Sequence, residues 1–213
     1  RDRVRRFRIG FCDVARADDQ RSLMAALIPP RTVCGDKVPT IEFDPAEPAV
    51  MILWLAVANS LAMDFVVRMK VSLKMSMSLM ATLPFPRQVS TSDATARACA
   101  LGARLSCTGP EMADFQAALQ RHPALAGQDL APCDDPEERA RLAAELDVVV
   151  ARDLFGLTRD EIRYLLEPRD VLGPDCTAET FAALRRAEER DHQEYRTRRL
   201  VMEAWDRSAH AAV

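Results

Sequence analysis

Residues 49–67 constrain the fold more than any other part of the sequence, because they form an apolar run long enough to cross a membrane. The run nevertheless contains Asn59, Ser60 and Asp64. A charged side chain at the middle of a bilayer costs about 3 kcal/mol on insertion scales. We therefore expect no membrane partner, and a helix over residues 49–69 that is buried in the core of a soluble protein.

The composition is typical of a globular protein of the cytoplasm. Of the 213 residues, 48% are hydrophobic, which is enough to fill a core. The six cysteines form no Cys-x-x-Cys pair, so the sequence predicts neither a structural metal site nor a disulfide framework. Scattered cysteines suit a reducing compartment, and the first residues lack the apolar stretch of a signal peptide. Because the sequence starts at Arg1 rather than Met, we expect a piece of a longer protein.

Hydrophobic periodicity predicts an α+β fold, with a small N-terminal β-sheet and packed helices in residues 1–90 and a mostly α-helical C-terminal region in residues 91–213. Apolar and polar residues alternate over residues 5–14, as in a half-buried strand. Thr158 and Glu161 have the spacing of a capping box. The other expected elements are strands within residues 21–28 and 37–43, a polar linker at residues 88–93, and helices over residues 75–82, 93–105, 111–121, 136–155, 158–166 and 178–208.

Charge is distributed unevenly along the chain. Residues 1–90 hold 13 Lys and Arg against 9 Asp and Glu, whereas residues 91–213 hold 16 against 23. A DNA-binding protein needs cations that replace the counterions of the phosphates. Only the first part of the chain therefore has the charge balance for such a partner.

The common catalytic motifs are missing from the sequence. None of the seven glycines forms a Gly-x-Gly, so no nucleotide-binding loop is present and no cofactor is predicted for this chain. A Gly-x-Ser-x-Gly nucleophile motif is also missing, and the three histidines lie in polar, helical or terminal contexts. We expect the chain alone to be non-catalytic. A free-standing enzyme with an unrecognised site is the alternative.

Four residues just after the apolar run recur at every second position, namely Arg68, Lys70, Ser72 and Lys74. An extended backbone would direct all four to the same side. Three cations and a hydroxyl on one side match the phosphates along a DNA strand. The alternative is a solvated collar between two helices.

Four arginines near the N-terminus are the candidates for contacts with base edges or nearby phosphates. Arg6 and Arg8 lie on the polar face of the first predicted strand, and Arg16 and Arg21 flank the turn that follows. A guanidinium can bind the edge of a guanine in the major groove as well as a phosphate. The alternative for each is an exposed arginine without a ligand.

Four segments carry a resemblance to a known family. In chain order they are the block Arg8-Ile-Gly-Phe-Cys-Asp13-Val-Ala-Arg16-Ala-Asp-Asp19-Gln-Arg21-Ser22, the Asn59-Ser60 helix with Arg68-Met-Lys-Val-Ser-Leu-Lys74 and a Leu-Pro-Phe-Pro exit, Leu146-Asp147-Val-Val-Val-Ala151 with Leu154-Phe-Gly-Leu-Thr158, and Glu194-Tyr-Arg-Thr197. Together they resemble the C-terminal target-recognition region of large bacterial adenine-N6 DNA methyltransferases. These include type IIG restriction-modification enzymes and DISARM- or BREX-like phage-defence methylases.

The resemblance implies that the chain reads double-stranded DNA for a parent protein that methylates adenine with S-adenosylmethionine. The catalytic methyltransferase domain of the same parent chain would then lie upstream, because its motifs are missing from these residues. The resemblance also implies helicase or nuclease subunits of a defence system as further partners. The alternative function is a helical protein-interaction module, formed by the acidic region, that docks such a subunit.

Overall fold

A computed structural model describes residues 3–86 and 93–210 of the chain. The predicted linker lies outside these ranges, except for Asp93. The fold is α+β, as the sequence predicts: a small antiparallel sheet is followed by a long series of helices.

The sheet has three short strands, β1 (Arg8–Phe11), β2 (Ala25–Ile28) and β3 (Thr40–Ile41), in the order β2-β1-β3. All four residues of β1 are buried, so the predicted half-exposed alternation is wrong. Arg8 is covered because its Nη2 donates to the backbone oxygen of Thr32, 2.6 Å away. Gly10 is covered by the side chain of Val38, which would lie 2.9 Å from a Cβ added to the glycine.

The predicted long core helix is two helices, α1 (Pro48–Ala58) and α2 (Leu61–Arg68), bent by 62° at the break. Ser60 interrupts the long helix because its hydroxyl caps the start of α2, where it accepts a hydrogen bond from the N–H of Met63. Asn59 lies at the break, where its side chain pairs with both backbone groups of Ala25, at 3.0 and 2.9 Å. Within the described ranges, no single helix is long and apolar enough to cross a membrane; α1 and α2 meet those criteria only as a bent pair.

The remaining helices follow the predicted pattern with four differences, of which α8 is an additional short helix. They are α3 (Met77–Met80), α4 (Asp93–Ser106), α5 (Ala113–Gln120), α6 (Pro136–Val148), α7 (Arg159–Leu166), α8 (Arg169–Leu172), α9 (Ala182–His192) and α10 (Arg196–His210). A short 3₁₀ turn (Pro110–Met112) precedes α5, and α6 continues as a π-helical turn (Val149–Leu154). The predicted helix over residues 178–208 is broken at Gln193, which adopts a left-handed conformation. The predicted capping box at Thr158 is confirmed.

One hydrophobic core contains residues from both predicted regions. The rings of Phe7 and Phe115 lie 5.0 Å apart, and α1 packs against α4 at Gly102. A Cβ added there would lie 3.0 Å from the Cβ of Ala56, so the close approach of the two helices favours a glycine. Residues 3–86 and 93–210 therefore pack together, while the division of the chain at residue 90 into functional regions stays a prediction.

Candidate nucleic-acid interface

Asp64, on α2, is the centre of a buried polar network. Its carboxylate is fully buried. One oxygen accepts the N–H groups of Ser22 and Leu23, at 2.7 and 2.8 Å. The other lies 3.2 Å from both Arg21 and Arg68. Buried charge is tolerated when it is paired and hydrogen-bonded in this way, so Asp64 fixes the chain around residue 22 onto α2.

Arg68, the last residue of α2, is buried, and its guanidinium donates hydrogen bonds to backbone oxygens. The guanidinium lies 4.4 Å from the centre of the Phe181 ring. Its terminal nitrogens donate to the carbonyl oxygens of Ala17 (2.5 Å), Asp19 (2.8 Å), Gln20 (2.9 Å) and Thr180 (3.3 Å). Three of these four acceptors belong to one surface loop, so a buried charge holds that loop from inside.

Residues Arg16–Gln20 form this loop, which we call the pinned loop; the side chains of all five residues are exposed. Two further bonds close it: the hydroxyl of Ser22 donates to the backbone oxygen of Arg16, and Asp19 accepts the backbone N–H of Arg16. The backbone is thus fixed while the side chains face solvent. Such a loop loses little entropy when it binds a ligand.

The segment after α2 joins the start of the pinned loop through backbone hydrogen bonds. Val14 and Lys74 form an antiparallel bridge, and the N–H of Met75 donates to the oxygen of Asp13 at 2.7 Å. Lys70, Ser72 and Lys74 are exposed on this segment. The bridge therefore places the exposed Lys74 opposite Val14, two residues before the pinned loop.

The eight predicted DNA-contacting residues divide into two groups in the structure. Arg6, Arg16, Lys70, Ser72 and Lys74 are exposed, whereas Arg8 and Arg68 are buried and Arg21 is half-buried. Arg21 donates to the backbone oxygen of Asn59 at 2.6 Å and pairs with Asp64. Arg8, Arg21 and Arg68 thus hold the fold together.

The predicted common orientation of Arg68, Lys70, Ser72 and Lys74 is wrong for Arg68. The backbone is not extended over these residues, because Arg68 still belongs to α2 and Lys70 lies in the turn that follows. Burial of Arg68 leaves Lys70, Ser72 and Lys74 as the exposed members of the set.

Asp147, on α6, connects the same network to the helical region. Its carboxylate accepts the N–H of Leu61, at the start of α2, at 2.7 Å. Burial raises the pKa of Asp147 to about 7, although the charge of Arg21 acts in the opposite direction. Asp147 and Arg21 line a cavity of about 260 Å³ together with Arg196 and Thr197. All four segments that carry the family resemblance therefore meet around Arg21.

Sequence reasoning missed two members of this arrangement. Gln20 is an exposed amide at the end of the pinned loop. Its place between Asp19 and Arg21 in the first of the four segments could have marked it as a candidate for DNA contact. Phe181 carries no such signal, because it contacts Arg68 from a segment with no motif of its own.

No known protein family, curated protein or solved structure matches this chain. The geometry of the site therefore carries the functional argument. Among residues 3–86 and 93–210, no group of three or more His, Cys, Asp or Glu side chains is placed to hold a metal ion.

Proposed function

We propose that this chain is the DNA target-recognition portion of an S-adenosylmethionine-dependent, adenine-specific DNA methyltransferase of a restriction-modification or phage-defence system. The observation that carries the proposal is the pinned loop: its backbone is fixed by buried Arg68, its side chains are exposed, and the exposed Lys74 is bridged to Val14, two residues before the loop. The sequence resemblance supports the same assignment.

The exposed side chains supply the two kinds of contact that a DNA reader needs. Arg16 presents a guanidinium, which suits the O6 and N7 atoms of guanine, and Gln20 presents an amide, which suits N6 and N7 of adenine. A good bidentate pair of this kind discriminates against the wrong base by about 1–3 kcal/mol. Lys70, Lys74 and the hydroxyl of Ser72 would contact phosphates and fix the register on the duplex.

Methyl transfer itself belongs to the parent protein in this proposal. Its catalytic domain binds S-adenosylmethionine and acts on an adenine turned out of the duplex. The chain described here holds the DNA so that the chosen adenine is presented to that domain. Its location is the cytoplasm, with the DNA.

Salt-dependent binding tests the phosphate contacts. Affinity for a mixed-sequence duplex is measured by fluorescence anisotropy at several salt concentrations. Replacement of Lys70 and Lys74 by Ala removes two phosphate contacts, so the slope of log K against log[salt] becomes shallower by about 1.8. A chain that binds no duplex, or binds it without salt dependence, refutes the proposal.

A matched control removes two positive charges elsewhere. Arg121 and Arg141 are exposed in the helical region, with no ion pair recorded for them among the described residues. The double variant Arg121→Ala, Arg141→Ala has the same change in net charge and leaves the slope unchanged. An equal effect in both double variants would show that only net charge matters.

A second function is favoured by the exposed apolar side chains on α7 and α8. Tyr164, Val171 and Leu172 are exposed there, in the acidic part of the chain. Such a surface suits a partner protein, and helicase or nuclease subunits of the same defence system are the candidates. Replacement of Val171 and Leu172 by Ser should abolish co-purification with such a subunit while duplex binding is retained.

A further inference from the structure

Three large apolar side chains are exposed around the bridge between Val14 and Lys74, which joins the residues before the pinned loop to the segment after α2. Val14, Met69 and Leu73 are 50%, 70% and 62% exposed. Val14 forms the bridge with Lys74, and the backbone oxygen of Leu73 lies 3.5 Å from the N–H of Ala15. The backbone oxygen of Leu73 is therefore held by the segment before the pinned loop, although the side chain faces solvent.

Positive charge frames this apolar surface. Lys70 and Lys74 stand on either side of Leu73 in sequence, and Arg16 follows Val14 by two residues. Lys70 donates to the hydroxyl of Thr82 at 3.2 Å. None of these three cations pairs with a carboxylate among residues 3–86 and 93–210. The pinned loop also exposes Asp18 and Asp19, so the three cations leave a small excess of positive charge that complements a polyanion. The apolar side chains at the centre cannot bind a phosphate.

We propose that Leu73 is an apolar wedge that enters a base step of duplex DNA, while Lys70 and Lys74 contact the phosphates on either side. This inference rests on the proposed function. Apolar side chains that unstack and kink DNA in this way are typically Leu, Ile, Met, Phe or Pro, and cations beside them hold the backbone.

The wedge would contribute to target choice without a hydrogen bond to a base. Pyrimidine–purine steps are the easiest to unstack, so a fixed wedge favours a target that places such a step beneath Leu73. This shape-dependent selection would act together with the direct contacts from the pinned loop.

The test uses the whole 213-residue chain and short duplexes that carry 2-aminopurine beside a TA step. Unstacking raises the fluorescence of 2-aminopurine, so the wild-type chain should raise it on binding. Leu73→Ser should abolish the rise while the salt dependence of binding is kept. Val33→Ser is the matched control, since Val33 is an apolar residue 83% exposed between β2 and β3, and it should behave as wild type.

The outcomes separate the wedge from the proposed function. If the wild-type chain binds the duplex and Leu73→Ser produces the same fluorescence rise, or if neither chain produces one, the wedge is refuted while DNA recognition stands. If the wild-type chain binds no duplex at any salt concentration, both fail. Loss of the rise in Leu73→Ser alone supports the wedge.

Discussion

Replacement of Arg68 by Met should cost the fold about 3–5 kcal/mol, the usual effect of removing one partner from a buried ion pair. The structure gives the reason. Asp64 would keep its fully buried charge with Arg21 as its one recorded ion-pair partner, and four backbone oxygens would lose their donor. The methionine retains most of the packing volume, so the loss reports the guanidinium.

Urea denaturation followed by tryptophan fluorescence measures this loss, because Trp54 and Trp205 are both buried. With an m value of about 2 kcal/mol/M, the midpoint should fall by roughly 1.5–2.5 M. Arg68→Lys should recover little of it, since an ammonium cannot reproduce the planar set of donors. Arg16→Met, at an exposed position of the pinned loop, should change stability by less than about 0.5 kcal/mol.

Limited proteolysis reports the loop directly. In Arg68→Met, trypsin should cut after Arg16 faster than it cuts the wild-type chain under folded conditions, because the backbone oxygens that held the loop are released. A loss of less than about 1 kcal/mol, with unchanged cleavage after Arg16, would refute the view that Arg68 holds the loop.

Three further substitutions have defined outcomes in the same denaturation assay. Burial holds the pKa of Asp147 near 7, above its ordinary 3.8, so the folded chain binds this proton more tightly than the unfolded chain and the free energy of unfolding falls as pH rises from about 4 to 7. The stability of Asp147→Asn relative to wild type should therefore increase by about 1–3 kcal/mol between pH 5 and pH 8. A difference that does not change with pH would contradict this. Gly102→Ala should destabilise by about 1–3 kcal/mol, although Ala is the better helix former, because its Cβ would lie 3.0 Å from that of Ala56; increased stability would show that the helices separate easily. Thr158→Ala should cost about 1 kcal/mol by removing the cap that Glu161 completes, and an unchanged midpoint would show that the cap contributes nothing.

Local patterns in the sequence predicted most of the architecture. The three strands lie within the predicted segments. The capping box forms because the side chains of Thr158 and Glu161 lie three residues apart. Signals of this kind depend on neighbours in sequence, so they survive the addition of tertiary contacts.

The errors occurred where distant residues decide the structure. The break between α1 and α2 has a local cause in the Ser60 cap, but Asn59 also pairs there with Ala25, 34 positions away, and apolar periodicity contains no sign of that pairing. Burial of Arg68 depends on carbonyl oxygens about 50 residues earlier in the chain. A cation at regular spacing looks the same in sequence whether it binds a backbone loop or a phosphate. The sequence therefore located the candidate site but could not separate its exposed cations from those that hold the fold.

The central claim is that this chain reads DNA sequence through the pinned loop, and selection from a random-sequence duplex pool tests it most directly. The wild-type chain should enrich one motif. Arg16→Ala and Gln20→Ala should each relax the preference at a single position of that motif and leave the others unchanged. Bound duplexes with the base composition of the starting pool, or one unchanged motif for all three chains, would contradict the claim.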